Sequence, residues 1–176
     1  MLIPAIRIGC LAIQLLRAEK PVSIQKLDAV DRRILRELQE DGALRNDILA
    51  ERVALSPAPT LRRVRALEKA GVIRRYAALL DPRSIGLGVR MRVDLRLASQ
   101  TRTVLDAFAA AVAAAPEVVE CVIVLGEWDY QLTVVARDVE EYQRFLFDRV
   151  AKLPGVTNYR STLIVREMKY TTVLPV

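Results

Sequence analysis

The residues best suited to chemistry by type and spacing lie between Ser56 and Arg75. Six positive charges stand in this stretch against one negative charge, that of Glu68, and the positive residues are Arg62, Arg63, Arg65, Lys69, Arg74 and Arg75. Guanidinium and ammonium groups bind phosphate oxygens, so this density of charge favours a polyanion as the partner. Charge alone equally fits a solvated amphipathic helix, so the rest of the chain must decide between the two.

The ends of this stretch predict a short helix. Ser56 is a good N-cap residue, and Pro57 fits the first helical position, where a missing N–H costs nothing. Gly71 suits the left-handed residue that follows a helix. Between these ends, apolar residues recur every three positions and predict a buried stripe of Leu61, Val64 and Leu67.

Two further helices are predicted before this one. Residues 27–41 hold apolar side chains at helical spacing, and residues 46–53 form a shorter helix that a turn at 54–55 joins to Ser56. Three helices, of which the third is basic and closely preceded by the second, describe a helix-turn-helix, whose third helix enters the major groove of DNA. The alternative is a three-helix bundle with no role in DNA binding.

A recognition helix contacts base edges mainly through its first turn, which predicts base contacts from Ser56, Ala58, Thr60 and Arg62. Phosphate contacts are expected from Lys69, Arg74 and Arg75, and Arg63 and Arg65 complete the basic set. The charge distribution agrees, because residues 27–80 carry a net charge of +3 and residues 81–176 are neutral. Residues 72–79 can add a small strand or wing, and residues 81–88 read as a linker.

Beyond residue 88 the apolar period changes from 3.6 to 2. Residues 89–176 predict the order β-α-β-β-α-β, an α+β ferredoxin-like domain with both helices on one face of an antiparallel sheet. The other sheet face, with Gln131 and Thr133 on it, also needs cover. We therefore expect it to pair with a second copy of the chain.

A turn in this second domain is the candidate site for a small molecule. It comprises Leu125, Gly126, Glu127, Trp128, Asp129 and Tyr130. A carboxylate beside an apolar ring can hold the ammonium of an amino acid, and Ser161 and Thr162 can donate to its carboxylate. The alternative is an ordinary hairpin turn with an aromatic residue in the core.

Composition excludes several classes of function. The chain has 176 residues and a net charge of +6, and it contains no histidine, which excludes imidazole metal sites and catalytic triads. Its two cysteines form no metal or redox motif, so we expect no cofactor, no metal and no catalytic residue, and a reducing, cytoplasmic location. Residues 1–26 are expected to be an N-terminal extension, either an extra helix or a product of a start codon placed too far upstream, and too short an apolar run to span a membrane.

Motifs in both halves resemble the Lrp/AsnC (leucine- and asparagine-responsive) transcriptional regulators. They include, in chain order, Asp31-Arg-Arg-Ile-Leu, Leu55-Ser-Pro, Leu61-Arg-Arg-Val, Ala70-Gly-Val-Ile, Leu80-Asp-Pro, Gly126-Glu-Trp-Asp-Tyr and Leu153-Pro-Gly-Val. The resemblance covers about residues 27–175. It implies a winged helix-turn-helix, a C-terminal effector-binding (RAM) domain, and a DNA-binding regulator of amino-acid metabolism that assembles as dimers, tetramers or octamers around an amino-acid effector in the cytoplasm.

The chain departs from the family pattern at four positions. Ala58 and Thr60 replace a usual small hydroxyl residue and a frequent cysteine, so the operator sequence does not carry over. Arg45 replaces a usual Ser or Thr helix cap, and Ile48 replaces an acidic residue.

Two other functions stay open beside this one. A chromosome-organising protein with little sequence preference would share every feature. A sirohaem decarboxylase is similar in fold, but that family's catalysis leans on histidine.

Overall fold

The computed structural model describes residues 26–176. The extension predicted for residues 1–26 therefore lies almost wholly outside the described residues. The chain divides into two units. Among the described residues, the sheet unit holds residues 80–167, and the helical unit holds residues 26–79 together with 168–176. No helix among the described residues has the length and apolarity that crossing a membrane would require.

The helical unit contains the three predicted helices, α1 (Ala29–Glu40), α2 (Asn46–Arg52) and α3 (Pro57–Lys69). Helix α1 begins with a capping box, in which the Asp28 carboxylate accepts from the N–H groups of Val30 and Asp31. The buried side chains that join the three helices are Ile34, Leu35, Leu49, Val53, Val64 and Leu67.

The buried side of α3 differs from the predicted stripe. Thr60 is fully buried, whereas Leu61 is 37% exposed. A spacing of three residues turns the helix 300°, so Leu61, Val64 and Leu67 drift around the axis, while a spacing of four and then three keeps Thr60, Val64 and Leu67 on one side. The Thr60 hydroxyl donates to the Ser56 main-chain oxygen at 3.0 Å, which satisfies the buried polar group.

Helix α3 ends as its sequence predicts. Gly71 has φ = 74°, its N–H donates to Glu68, and the N–H of Val72 donates to Leu67, both at 2.9 Å. This is a Schellman motif, which requires a left-handed residue and explains the glycine. The following residues 74–80 have no regular secondary structure, so the strand predicted within 72–79 is absent from the described chain. Tyr76 instead donates to Glu68 at 3.0 Å.

The sheet unit has the predicted β-α-β-β-α-β order. Its elements are β1 (Val89–Leu97), α4 (Arg102–Ala113), β2 (Val118–Ile123), β3 (Tyr130–Ala136), α5 (Val139–Asp148) and β4 (Val156–Leu163). The strands are antiparallel in the order β2-β3-β1-β4. Alternate residues of β1 and β3, among them Val93, Leu95, Leu132 and Val134, are buried against Phe108 of α4.

The opposite sheet face is polar, as predicted for Gln131 and Thr133. Arg92 donates to Thr133 at 2.9 Å and to Glu120 at 3.1 Å. Strand β2 is rich in apolar residues but forms an edge of the sheet, beside β3. Its Val119, Val122 and Ile123 are 58%, 38% and 47% exposed. The burial of the two inner strands is therefore not repeated in β2, which has a neighbouring strand on one side only.

The last residues make their contacts outside the sheet. The sequence predicts one domain over residues 89–176, and residues 168–176 of it cluster with the helical unit. The predicted linker, 81–88, contains a single 3-10 turn at Arg83–Ile85. The chain therefore enters the sheet unit near Leu80 and leaves it after Glu167.

Candidate nucleic-acid interface and ligand turn

Four residues form an exposed stripe along α3, which we call the α3 stripe: Ala58, Arg62, Arg65 and Lys69. Their spacing of four, three and four residues keeps them within about 60° of one another at 100° per residue, on the side opposite the buried residues. Among the described residues, none of the three cations makes a hydrogen bond or an ion pair. Three exposed cations on one side of a helix can contact a regularly charged polymer.

A tight turn fixes α3 relative to α2. Ala54 adopts the left-handed conformation at φ = 56°, and the N–H of Leu55 donates to Ala50 at 2.9 Å. Asn46, the first residue of α2, donates through its side chain to the Pro57 main-chain oxygen at 2.9 Å. Arg45 makes no side-chain cap for α2, as its departure from the family pattern predicts, and pairs with Asp47 at 2.6 Å.

Arg63 lies on α3 but contacts α1. Its Nη1 donates to Asp28 at 2.8 Å and to Asp31 at 2.7 Å, and its side chain is 35% exposed. The same two carboxylates form the capping box of α1, so one guanidinium joins the start of α1 to the middle of α3. This arrangement orients α3 and occupies Arg63.

The predicted DNA-contacting residues thus separate into three groups. Thr60 is buried and cannot contact a base, which corrects its assignment, and Arg63 is held by two aspartates. Ser56 occupies the N-cap position but makes no side-chain cap. The exposed members are Ser56, Ala58, Arg62, Arg65, Lys69, Arg74 and Arg75.

Trp128 is the centre of the ligand turn. Two guanidinium groups lie close to its ring, with the Cζ of Arg96 5.3 Å and the Cζ of Arg160 5.1 Å from the ring centroid. Its indole N–H is buried and finds no acceptor within the described chain. A buried donor without an acceptor is costly and marks a place where an acceptor from outside can bind.

The two acidic residues of the turn have different surroundings. Asp129 accepts from the N–H of Leu97 at 2.8 Å and from Gln100 at 3.2 Å, so it fastens the turn to the end of β1. The Glu127 side chain is 70% exposed, and its carboxylate lies 3.7 Å from Arg96. Glu127 is therefore the more available carboxylate for a cationic group.

Ser161 and Thr162 are not brought together. Successive residues of a strand point to opposite faces. Ser161 pairs with Val93 and hydrogen-bonds the Tyr142 hydroxyl on the helix-covered face, where burial raises the pKa of Tyr142. Thr162 lies on the other face beside Arg92. The prediction that both donate to one carboxylate is therefore wrong.

Three residues of these sites are not among those predicted from the sequence. Arg96 and Arg160 flank Trp128, and Asn46 holds the start of α3. The alternation of β1 could have placed Arg96 on the polar face. Arg160 reaches Trp128 only through the strand order, which alternation does not reveal. No group of three acidic, cysteine or histidine side chains among the described residues could hold a metal ion.

Comparisons with known proteins agree with this geometry. Residues 27–74 match a winged helix-turn-helix DNA-binding family, and residues 91–174 match the Lrp/AsnC ligand binding domain. The leucine-responsive regulatory protein of Haemophilus influenzae is 40% identical over 148 residues, which cover 84% of this chain and 89% of that protein. The chain belongs to the Lrp/AsnC family.

Solved structures of family members share the fold. A transcriptional regulator from Neisseria meningitidis in complex with L-Met has a TM-score of 0.81 and 42% identity, over 85% of this chain and 96% of that one. An AsnC family regulator from Agrobacterium tumefaciens has a TM-score of 0.80 and 41% identity, over 85% and 97%. This member of the family is thus a DNA-binding transcriptional regulator with a ligand-binding domain of the Lrp/AsnC type.

Arg63→Ala is expected to lower the free energy of unfolding at neutral pH and to weaken its pH dependence. The N–H of Asp31 and the Arg63 guanidinium hold the pKa of the Asp28 carboxyl below its ordinary value of 3.8. A lowered folded-state pKa stabilises the fold above the unfolded-state value, and that stability is lost as pH falls through the folded pKa.

Urea unfolding from neutral pH down to about pH 3 measures both effects. The parent protein should lose more stability on acidification than Arg63→Ala. Arg65→Ala, an exposed neighbour without an ion pair in the described chain, is the control and should behave as the parent. Equal acid sensitivity of parent and Arg63→Ala would show that the cluster has no role in orienting the helices.

Proposed function

We propose that the α3 stripe reads a specific DNA sequence, and that an amino acid bound at the Trp128 turn of a homodimer modulates this reading. The observation that carries the first part is the contrast among the arginines of α3. Arg63 is held by two aspartates, while Arg62, Arg65 and Lys69 of the stripe make no ion pair within the described residues.

The stripe offers two kinds of DNA contact. Ala58 and Arg62 lie near the start of the helix, where residues of a recognition helix meet base edges. An arginine can donate twice to guanine, and an alanine methyl can pack on the thymine methyl. Lys69, Arg74 and Arg75 lie further along the chain and supply positive charge for phosphates, which sets affinity and orientation.

Base contacts from Ala58 and Arg62 near the start of α3 would make the chain a sequence-specific regulator. A chromosome organiser with little sequence preference would not need them. The chain is also proposed to be a regulator without catalysis, which its lack of histidine supports. A protein that binds DNA in this way is expected to act in the cytoplasm, at the nucleoid.

Arg62→Ala and Arg75→Ala are expected to weaken DNA binding in different ways. Loss of Arg62 should relax specificity at one base pair by about 1–3 kcal/mol, whereas loss of Arg75 should weaken all sequences alike and lower the salt slope by about one. Binding to duplexes selected by the parent from a random pool, over a salt series, measures both.

Arg102→Ala, which alters an exposed arginine of the sheet unit, is the matched control and should bind as the parent does. If the triple variant of Arg62, Arg65 and Arg75 keeps parental affinity and salt slope, the α3 stripe does not contact DNA.

The Trp128 turn supports an amino acid as effector. A free amino acid carries one cation and one anion, and both need partners when water is removed. The exposed Glu127 carboxylate can take the ammonium. The buried indole N–H of Trp128 and the guanidinium of Arg160 beside it can take the carboxylate. Asp129 keeps the turn in place, and the exposed Leu125 can supply apolar contact. Tyr130, also predicted for this site, pairs with Leu95 and packs on Phe108 of the helix-covered face, with 4.6 Å between the ring centroids, so it does not belong to the ligand surface.

Glu127→Gln is expected to abolish the thermal stabilisation that an amino acid gives to the parent, because an amide cannot neutralise the ligand's ammonium. A screen of the twenty amino acids, L-methionine among them, identifies the ligand by its rise in melting temperature, and calorimetry then gives the affinity of each variant.

Asp129→Asn should lower the melting temperature of the unliganded protein, since it alters the contacts to Leu97 and Gln100. Glu140→Gln, at an exposed site on α5, is the control for loss of one carboxylate. Parental affinity in Glu127→Gln, or no amino acid binding below millimolar concentration, would show that this turn is only a hairpin.

A second copy of the chain is the proposed partner of the open sheet face. This face carries charges of both signs in pairs: Asp94 accepts from Arg160 at 2.8 Å, and Glu120 accepts from Arg92 at 3.1 Å. A surface with both signs can meet its own copy across a two-fold axis without net repulsion. Exposed Val122 adds apolar area to the same face. The outer sides of the edge strands β2 and β4 add main-chain groups that no neighbouring strand in the sheet binds.

Val122→Lys is expected to shift the full-length chain from dimers or larger assemblies toward monomers, because a lysine must be desolvated at a closed interface. Sedimentation at micromolar concentration measures the shift. Val139→Lys, at an exposed valine on the helix side of the sheet, is the control and should assemble as the parent does. A monomeric parent would contradict the proposal outright.

A further inference from the structure

The final nine residues of the chain, 168–176, form a segment that we call the tail, and they dock on α1 of the helical unit. The side-chain amide of Gln39 donates to the Leu174 main-chain oxygen at 3.1 Å and accepts from the Leu174 N–H at 2.6 Å. Arg36 donates through Nε to the Val176 main-chain oxygen at 2.9 Å. The Val176 side chain packs against the core of the three helices.

Both partners on α1 lie on the same side of that helix. Arg36 and Gln39 are three residues apart, the spacing at which helical neighbours meet. The Gln39 amide uses its donor and its acceptor on one residue of the tail, as a paired strand would. Because side-chain amides rarely meet a main-chain N–H and C=O of the same residue by chance, the contact is specific for an extended segment.

The tail is also fixed where it begins. Just before it, the N–H of Ile164 donates to the Arg90 main-chain oxygen at 3.0 Å, and Arg90 pairs with Glu167 at 2.6 Å. The segment therefore leaves strand β1 of the sheet unit at a defined point. It follows that the chain connects the two units twice, through residues near 80 and again through residues near 168.

The far end of α1 is joined to the recognition helix. Asp28 and Asp31 at its start accept from Arg63 of α3 at 2.8 and 2.7 Å. Helix α1 thus lies in a continuous series of contacts between the tail and α3, and a helix of 12 residues moves as one rigid body.

We propose that the tail is a tether that positions the recognition helix through α1. Arg36 and Gln39 of α1 bind the tail, and the salt bridges of Arg63 to Asp28 and Asp31 join α1 to α3. The occupant of this surface is the chain's own segment 168–176. The tether gives the ligand-binding half a second connection to the DNA-reading half, in addition to the linker. The tail continues the chain from the sheet unit and is held on α1 by hydrogen bonds and packing.

Gln39→Leu tests the tether in the full-length protein without a change of charge. It should raise hydrogen exchange of residues 173–176 and of α3 while leaving strands β1 and β3 protected. DNA affinity for a duplex selected by the parent should fall by roughly twofold to thirtyfold, the range typical of mutations that alter coupling at a distance. The salt slope should stay constant, because the phosphate contacts remain.

A truncation that removes residues 173–176, which are uncharged, should reproduce both effects. Glu40→Leu, at the exposed last residue of α1, is the matched control and should match the parent in exchange and affinity. Unchanged DNA affinity in a variant whose tail exchanges freely would overturn the proposal, and so would a parent whose tail is already unprotected. The α3 stripe is tested separately by its own variants, so failure of the tether leaves it standing.

Discussion

The position of the recognition helix depends on the contact of one guanidinium with two carboxylates. An exposed ion pair contributes little, about 0–1 kcal/mol, because water screens it and two long side chains must be ordered. Arg63 is in a different situation, since the Asp31 side chain is only 17% exposed and both aspartates are already held by the capping box of α1. The geometry of the acceptors is fixed before the arginine arrives. One side chain can therefore set the angle between two helices whose apolar contacts alone would allow sliding.

The two halves of the molecule also differ in whether their arginines form ion pairs. In the sheet unit most arginines are matched with carboxylates, as Arg92 is with Glu120 and Arg160 is with Asp94, and residues 81–176 are neutral. In the helical unit the arginines of the α3 stripe have no such partners in the described chain. Net charge alone would not distinguish the two roles, because both halves are rich in arginine. What distinguishes them is whether a carboxylate of the same chain already occupies each guanidinium.

The elements were predictable from periodicity, and the errors arise where periodicity carries no information. A buried threonine at position 60 was unexpected because its hydroxyl is polar, yet the Ser56 oxygen satisfies it. The exposed apolar side chains of β2 could not be placed, since alternation does not say which strand lies at an edge. Ser161 and Thr162 were grouped as neighbours in sequence, but a strand separates them by its pleat. The docking of the tail on α1 could not be predicted, because its partners lie 135 residues away in sequence.

The Trp128 turn is a place where the unliganded molecule carries a cost that a partner can remove. A buried N–H without an acceptor costs about 1–3 kcal/mol. Two arginines contact the ring at cation–π distance and add to its packing. An acceptor supplied by a ligand or by a second copy of the chain would remove this cost only in the state that admits it. A ligand shifts an equilibrium by no more than its difference in affinity for the two states. A ligand that accepts from the Trp128 N–H in only one state binds that state more tightly, which provides such a difference. Asp129 connects the turn, and therefore ligand binding there, to Leu97 at the end of β1. Arg90 at the start of the same strand pairs with Glu167, the residue that precedes the tail.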